Sequence, residues 1–418
     1  MNSIAGQDWF SKPALQRILG LLNADGGEAR IVGGAIRNAL MDMPVGDIDI
    51  ATTLLPQDVV ERAKDAGIKS VPTGIEHGTV TLVLEGEGYE VTTLRRDVAT
   101  DGRRADVAFG TDWQVDAERR DLTINGLYAD GEGNIIDLIN GLPDIETRTV
   151  RFIGDAATRV AEDYLRVLRF FRFFAWYGSG RPDADGLRAS ARAKDKLSTL
   201  SAERVWSELK KLLSAPDPSR SLLWMRQSGV LAQVLPETEK WGIDSIHGLV
   251  AAEQSLNWSV DPLIRLAAII PPDVARVEAM ASRLRMSKNE TNRLLLWAGA
   301  QTPDATMAET ALDRLLYRQG KDGVVMRLKL ALAAARADVS AGEEAMRKVA
   351  RLSTLNNRAN AFVKPAFPLT GADVLAEGVA AGPRVGEVLS ALEDKWVEVN
   401  FSLDRAALTA RLKTMLQD

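Results

Sequence analysis

Apolar and polar residues follow different patterns in the two parts of the chain. Over about the first 140 residues, short β-branched apolar runs lie between glycines and alternate with helical stretches, which is typical of a mixed sheet. After Pro143, apolar residues recur at helical spacing almost to the end of the chain. The pattern predicts an α+β protein, with a small mixed-sheet head followed by a long all-α region.

The first part predicts a definite order of elements. These are a lead helix at 9–22, a short strand near Ile31, a helix at 35–41, a strand at 47–50, a helix at 56–66, strands at 78–84 and 89–94, a polar and mobile loop at 95–113, a helix at 119–130 and a strand at 134–139. Breaks at 178–185, 216–218, 271–272 and 364–368 divide the helical part into three predicted subdomains, without a clear internal repeat.

Two short segments, IVGGAIR at 31–37 and GDIDI at 46–50, carry the chemistry. Alternate residues of a strand share a face, so Asp47 and Asp49 point the same way. Two adjacent carboxylates repel each other unless a cation lies between them, and oxygen ligands suit Mg²⁺. Gly33 and Gly34 let the backbone approach a phosphate at the start of a helix. The combination predicts metal-dependent phosphoryl or nucleotidyl transfer.

Composition excludes several other classes of enzyme. The chain has no cysteine and only two histidines, His77 and His247, so zinc sites and Ser/His or Cys/His catalysis are poorly provided for. No apolar run approaches the ~20 residues that span a bilayer, and the N-terminus lacks the pattern of a signal peptide. We therefore expect a cytoplasmic protein that does not enter a membrane.

Net charge alone does not identify a partner. The chain carries a formal charge of −5, which argues against nucleic acid, yet residues 148–196 hold eleven Lys and Arg against six Asp and Glu. This segment is either a basic face or an ordinary solvated helical surface.

Three further motifs follow in chain order: ERRDLTIN at 118–125, DLING at 137–141 and EDYLR at 162–166. With the first two segments they resemble the tRNA CCA-adding enzyme and bacterial poly(A) polymerase family, the class II tRNA nucleotidyltransferases. Similar stretches at 203–209, 367–371 and 382–383 extend the resemblance over nearly the whole chain. It implies a lead helix at 1–26, a polymerase-β-like nucleotidyltransferase head at 27–140, a neck with a base-recognition motif at 141–236 and a tRNA-binding body and tail at 237–418.

The resemblance also implies the site residues. Asp47 and Asp49 would be catalytic metal ligands, and Glu90 is a candidate third carboxylate, although a solvent-facing strand residue is an equal alternative. The nucleotide-binding residues would be Gly33, Gly34, Arg37, Arg120, Asp121, Asn125, Asp163, Arg166, Arg169 and Arg172. In this family Arg120 and Asp121 would contact triphosphate and ribose; taken alone, they would be a charged helix N-terminus.

The sequence departs from the family at one position inside the first motif. An aspartate usually follows the arginine that corresponds to Arg37, but this chain has Asn38. If that aspartate orients the arginine, an asparagine can still accept a hydrogen bond but brings no charge. We expect activity to survive the change.

Asp163 and Arg166 are three residues apart on a predicted helix and would share a face. A carboxylate and a guanidinium match the amine donor and ring-nitrogen acceptor that cytosine and adenine both present, whereas guanine and uracil would set like against like. Mismatched buried polar groups cost ~1–3 kcal/mol each, enough to select bases. Arg169 stays near this face, whereas Arg172 falls roughly opposite. The alternative for Asp163 and Arg166 is a surface ion pair.

The function implied by the resemblance is addition of C, C and A to the 3′ end of tRNA from CTP and ATP, with two Mg²⁺ ions. A poly(A) polymerase and a CC-only or A-only enzyme remain open, although the segment at 73–79 and a flexible loop at 95–104 favour the full activity. That loop is otherwise an ordinary hairpin tip. A helical RNA-binding protein with an inactive head is the third alternative. No obligate protein partner is implied.

Overall fold

The computed structural model describes residues 3–100, 105–239, 241–338 and 342–417. The chain forms two compact units, Met1–Pro236 and Glu237–Asp418. Each unit has its own buried core, and the predicted catalytic residues all lie in the first.

A seven-stranded sheet forms the centre of the first unit. Its spatial order is β3-β4-β5-β2-β1-β8-β9, and only the pairing of β2 with β5 is parallel among the described strands. The strands are β1 Ala29–Val32, β2 Asp49–Thr52, β3 Lys69–Gly74, β4 Thr79–Leu84, β5 Glu87–Thr93, β8 Leu127–Ala129 and β9 Ile135–Asp137, and two more, β6 Arg95–Thr100 and β7 Ala105–Phe109, lie outside this sheet. The position of β2 between β1 and β5 places its first residue, Asp49, at the middle of the sheet.

Four helices accompany the sheet: α1 Pro13–Leu22, α2 Gly34–Leu40, α3 Pro56–Asp65 and α4 Trp113–Glu118. The lead helix is shorter than predicted and begins at Pro13, whose fixed φ and missing N–H suit the first helical position. Its apolar face, which includes Leu15, Ile18 and Leu22, is fully buried. Burial of this face explains why the lead helix belongs to the head.

The predicted loop at 95–113 is wrong over most of its length. β6 and β7 pair antiparallel as a two-stranded ribbon, with Arg95 opposite Phe109 and a register shift between Asp97 and Ala99. Asp and Arg are typical of loops, but a ribbon is held by backbone bonds and tolerates them. Residues 101–104, the tip of the predicted flexible loop, lie outside the described residues.

The predicted helix at 119–130 is also wrong. α4 ends at Glu118, a short 3₁₀ turn covers Thr123–Asn125, and β8 begins at Leu127. The Asp121 carboxylate accepts a hydrogen bond from the Leu122 amide at 2.9 Å, and the Ile153 amide bonds to the Asp121 carbonyl at 3.1 Å. These bonds replace helical ones, so Arg120 and Asp121 do not form a charged helix N-terminus.

The rest of the first unit is helical. Its helices are α5 Leu142–Glu146, α6 Ala156–Glu162, α7 Leu165–Tyr177, α8 Ala184–Ala193, α9 Ala202–Leu213, α10 Ser219–Gln227 and α11 Val230–Val234. α7 is central, because it buries aromatic side chains such as Phe170, which stacks on Phe152 with ring centroids 5.4 Å apart. Its arginines consequently project toward the head and toward α9.

The second unit is entirely helical in its described residues. Its helices are α12 Ser245–Ser255, α13 Pro262–Ile269, α14 Val274–Arg283, α15 Lys288–Gly299, α16 Glu309–Gln319, α17 Lys321–Ala337, α18 Glu343–Ala361, α19 Gly371–Ala376, α20 Pro383–Glu398 and α21 Arg405–Gln417. One core joins α16, α17 and α18, and another gathers around Trp396 of α20. The buried Arg265 pairs with Glu253 at 2.7 Å and links α13 to α12.

Candidate active site

Three carboxylates project from the middle of the sheet. Ile48 and Ile50 are buried while Asp47 and Asp49 are exposed, so the predicted alternation is present. The strand itself begins at Asp49, and Asp47 lies in the extended segment before it, which corrects the predicted strand boundary. The parallel register places Glu90 of β5 beside Asp49.

The pKa of Asp49 is raised. Partial burial is the main cause, and the neighbouring carboxylates of Glu90 and Asp47 add to it, while Arg120 acts in the opposite direction. Although burial contributes to this shift, the Asp49 side chain is still exposed to solvent. Negative charge is therefore concentrated here beyond what the protein itself neutralises.

The donor set fits a hard divalent cation. Asp47 and Asp49 offer only oxygen atoms, and Mg²⁺ is commonly held by one or two carboxylates together with substrate phosphates and water. Within the described ranges, no group of three or more His, Asp or Glu side chains is arranged to hold a metal ion. The role of Glu90 as the third carboxylate, which would activate the attacking hydroxyl, stays a prediction.

The double glycine forms a tight turn between β1 and α2. Gly33 has φ 72°, and a Cβ there would lie 3.3 Å from the Asn125 carbonyl oxygen. At Gly34 a Cβ would lie 3.6 Å from Nη2 of Arg37, so this guanidinium folds back against the turn. Because the glycines have no side chains, the backbone of the turn is accessible beside the Arg37 guanidinium.

Arg37 is buried, with 7 % of its surface exposed, and its hydrogen-bond partners are neutral. Nε and Nη2 donate to Oδ1 of Asn38 at 3.2 and 2.9 Å, Nη2 also donates to the Tyr177 hydroxyl at 2.8 Å, and Nη1 donates to Oδ1 of Asn125. Burial lowers the pKa of Arg37, and the interaction with Tyr177 opposes that effect. Asn38 therefore does orient Arg37, as the sequence suggested, without supplying a charge.

Arg120 is held by a residue that the sequence analysis missed. Asp116, 1 % exposed, accepts from Nη2 of Arg120 at 2.9 Å, from Nη2 of Arg119 at 2.5 Å and from the Tyr128 hydroxyl at 2.6 Å. Burial would raise the pKa of Asp116, but the two arginines and the hydrogen bonds outweigh it and the pKa is lowered. Nη1 of Arg120 makes no hydrogen bond within the described residues and remains available to a ligand.

Asp121 connects the head to α7. Its Oδ2 accepts from Nε of Arg169 at 2.6 Å, and its Oδ1 accepts from Nδ2 of Asn125 at 3.3 Å. Burial alone would raise the pKa of Asp121, yet Arg169 and the hydrogen bonds lower it to about 2. Asn125 also accepts from Arg37, so it bridges Arg37 and Asp121.

Asp163 and Arg166 are not on one helical face. Asp163 is extended, at φ −154° and ψ 109°, between the end of α6 and the start of α7. It accepts from the Leu165 amide at 3.0 Å and from Nη2 of Arg204 at 2.5 Å. The helix breaks here because the Asp163 side chain bonds the backbone of the next helix in place of an intrahelical donor.

Arg166 pairs with Glu162 and donates to the carbonyl oxygens of Arg159 at 3.0 Å and Arg119 at 3.3 Å. The alternative in which Asp163 and Arg166 form a surface ion pair with each other is also wrong, since each has a different partner. Both side chains are partly buried, with 26 % and 14 % exposed.

Arg172 was expected roughly opposite Asp163, but that helical spacing does not apply because Asp163 precedes α7. Its Nε donates to Glu208 of α9 at 2.5 Å, and its guanidinium lies 4.1 Å from the centre of the Phe173 ring. Hydrogen bonds therefore connect Arg37, Asn125, Asp121 and Arg169 into one network. Arg120 belongs to a separate cluster with Asp116 and Tyr128, and Arg172 is bound to α9.

Some hydrogen-bond partners of the site residues that were not predicted nevertheless have a recognisable spacing or motif in the sequence. Asp116 lies four residues before Arg120, and Glu162 lies four before Arg166, both at helical contact spacing. Arg204 and Glu208 belong to the motif at 203–209. Tyr177 is 140 residues from Arg37, and no local pattern indicates that contact.

Comparison with known proteins identifies the family. Residues 29–151 match the family described as "Poly A polymerase head domain", and residues 183–241 match "Probable RNA and SrmB- binding site of polymerase A". The CCA tRNA nucleotidyltransferase 1, mitochondrial, of Mus musculus is 33% identical over 405 residues, covering 96% of this chain and 89% of the mouse protein. The chain belongs to the CCA tRNA nucleotidyltransferase family.

Bacterial members match over a similar extent. The CCA-adding enzyme of Lactococcus lactis is 31% identical over 414 residues, which is 97% of each protein. The crystal structure of the Bacillus stearothermophilus CCA-adding enzyme in complex with CTP superposes with a TM-score of 0.76 and 25% identity over 97% of each chain. These matches confirm the predicted family and the α+β fold, and the chain is a nucleotidyltransferase.

CCA tRNA nucleotidyltransferases are metal-dependent, which agrees with the oxygen-donor pair at Asp47 and Asp49. None of the helices in the described part of the chain combines the length and apolar character needed to cross a bilayer.

We predict that Asp121→Asn weakens the fold most at neutral pH. The folded-state pKa of about 2 lies below the ordinary value of 3.8, so ionised Asp121 stabilises the fold above pH 4, and this stabilisation is lost as pH falls toward 2. The variant's deficit in unfolding free energy should be about 2 kcal/mol at pH 7 and should shrink between pH 4 and 2. Urea unfolding measured across this range tests the prediction. Asp185→Asn, which removes one partner of the exposed Asp185–Arg188 ion pair on α8, is the control. A deficit of Asp121→Asn that does not depend on pH would contradict the prediction.

We predict that Asp49→Asn leaves the metal-free protein as stable as the wild type or more so. The raised pKa means that the ionised carboxylate is less favourable in the folded chain than in the unfolded one. Thermal unfolding with and without Mg²⁺ should give a metal-dependent rise in Tm for the wild type and for Glu61→Gln, an exposed carboxylate change on α3, but little rise for Asp49→Asn. A lower metal-free Tm in that variant, or an undiminished Mg²⁺ effect, would refute the assignment.

Proposed function

We propose that this protein adds C, C and A to the 3′ end of tRNA, taking CTP and ATP as substrates without a nucleic-acid template. The observation that carries the proposal is the match to a CCA tRNA nucleotidyltransferase over 96% of the chain. In this reaction the tRNA 3′-hydroxyl oxygen bonds to the α-phosphorus, and the bond from that phosphorus to pyrophosphate breaks.

Asp47 and Asp49 would hold Mg²⁺, which, when bound, supplies the charge that activates the hydroxyl and stabilises pyrophosphate. The middle position of β2 supports this role, since strands on both sides hold Asp49 in a fixed orientation. Glu90, beside Asp49 in the sheet, is the candidate to accept the proton of the attacking hydroxyl.

The triphosphate would lie against the Gly33-Gly34 turn and Arg120. The turn leaves room for an anion, and Arg37 adds positive charge beneath it. Asp116 and Tyr128 fix Arg120 while leaving Nη1 unbonded within the described residues. A guanidinium held in one orientation suits phosphate oxygens.

Asp121 would contact the ribose. Its carboxylate has room for four hydrogen bonds and already accepts three, from Arg169, Asn125 and the Leu122 amide. A remaining lone pair on Oδ2 can accept a ribose hydroxyl. Arg169 would thereby be positioned on the nucleotide side of α7.

Asp163 and Arg166 would read the base, each after exchanging an internal partner. Arg204 now offers donors to Asp163, and Glu162 offers acceptors to Arg166. These two partners therefore occupy the positions of the amine donor and ring-nitrogen acceptor of cytosine or adenine. Arg172 of α7, paired with Glu208 of α9, would support this surface without contacting the base.

The helical region would bind the tRNA. The match of residues 183–241 to a described RNA-binding family supports contact by α8 to α11, and the second unit would bind the tRNA backbone by shape and phosphate contacts. A cytoplasmic location stays a prediction, because the mouse relative is named as mitochondrial.

The test supplies Mg²⁺, CTP and ATP to a tRNA that ends before its CCA and sequences the 3′ ends. We expect tails of C, C and A, with Asp47→Ala abolishing incorporation but retaining tRNA binding. Long A tails would indicate a poly(A) polymerase, and tails of CC or A alone a partial enzyme; each result would overturn the proposal. Extension by Asp47→Ala would refute the metal assignment.

We predict that Arg166→Ala lowers discrimination against UTP and GTP. One mismatched buried polar group costs ~1–3 kcal/mol, so the ratio of kcat/KM for CTP to that for UTP should fall about fivefold or more. Arg188→Ala, which removes an exposed arginine of α8, should leave the ratio unchanged. Equal losses with all four nucleotides would show that Arg166 serves the fold and does not read the base.

A further inference from the structure

The loop that carries Asp47 has few apolar contacts to hold it. Between the end of α2 at Leu40 and the start of β2 at Asp49, most side chains are exposed or half-buried, including Pro44 and Asp47. A metal ligand on such a loop requires another source of rigidity.

Asn38 supplies that rigidity at two adjacent residues. Its backbone carbonyl accepts from the Met43 amide at 2.8 Å, and its side-chain Nδ2 donates to the Pro44 carbonyl at 2.8 Å. Pro44 is three residues before Asp47. The loop is thus bound to α2 directly ahead of the carboxylate.

The other end of the same amide holds Arg37. Oδ1 of Asn38 accepts from both Nε and Nη2 of that guanidinium. An arginine only donates and a proline carbonyl only accepts, so the position requires one acceptor end and one donor end. This requirement fixes the orientation of the amide.

An aspartate cannot meet both requirements. It could accept from Arg37, but its second oxygen would face the Pro44 carbonyl oxygen, acceptor against acceptor. Alanine would meet neither requirement. Asparagine therefore suits this geometry, at the position where the CCA tRNA nucleotidyltransferase family usually has aspartate.

We propose that Asn38 is a positioning residue that couples the nucleotide-binding arginine to the metal-binding loop, its Oδ1 orienting Arg37 and its Nδ2 holding the Asp47 segment. The proposal rests on the proposed function, because it assumes that Arg37 and Asp47 serve one reaction. It links a buried arginine beside the glycine turn to the segment that carries an exposed carboxylate.

The experiment compares Asn38→Asp and Asn38→Ala with the wild type by amide hydrogen exchange of residues 43–48, without metal. Loss of one hydrogen bond, at about 1 kcal/mol, corresponds to about fivefold faster exchange, and we expect this in both variants because both lose the Pro44 bond. Binding of Mn²⁺ to the metal-free protein, followed by the electron paramagnetic resonance of free Mn²⁺, should weaken by a similar factor. Asn289→Asp, which adds the same charge at an exposed position of α15, is the control and should change neither quantity.

Faster exchange in Asn38→Ala but not in Asn38→Asp would mean that Asn38 only orients Arg37, and would overturn the coupling. Unchanged exchange in both variants would overturn it entirely. Circular dichroism and unchanged exchange in α3, which lies in the same unit as Asn38, verify that each variant is folded. A failure of the proposed function would be separate, since it would be seen as a wild-type protein that adds no C or A to tRNA.

Discussion

The buried guanidinium of Arg37 is the constraint on which the catalytic half of the molecule depends. A buried cation requires acceptors for its N–H groups. Here they come from the adjacent Asn38 on α2 and from two residues distant in sequence, Asn125 in the 3₁₀ turn and Tyr177 at the end of α7. Asn125 continues the network to Asp121, which binds Arg169. One chain of hydrogen bonds consequently holds together the glycine turn, the ERRDLTIN motif and α7.

In the proposed function, chemistry and nucleotide choice would depend on different kinds of structure. The carboxylate Asp49 begins a strand in the middle of a sheet, whose neighbours restrict its movement. Asp163, in contrast, lies at a break between two helices, and its present partner belongs to α9. A rigid reacting centre with an adjustable recognition residue suits an enzyme that uses two different bases in turn, because only the recognition contacts have to change.

Local patterns in the sequence predicted the parts of the site that depend on neighbours in the chain. The alternation of Ile48 and Ile50 with two aspartates indicated a common face, and the structure has it. The helix at 119–130 was wrong because the Asp121 side chain bonds the adjacent amide, and the shared face of Asp163 and Arg166 was wrong because Asp163 caps the next helix. Contacts such as Arg37 with Tyr177 depend on how distant segments pack, so no period or motif indicates them.

The ribbon of β6 and β7 leaves and rejoins the head at almost one point. The Gly110 amide donates to the Leu94 carbonyl at 2.9 Å, so the chain departs and returns side by side. Residues between these two positions form an excursion whose length does not alter the spacing of β5 and α4. Insertions, deletions or rapid sequence drift there would leave Glu90 and Asp116 where they are. In evolutionary terms, the ribbon is a segment whose length can change while the sheet that carries Asp49 stays unchanged.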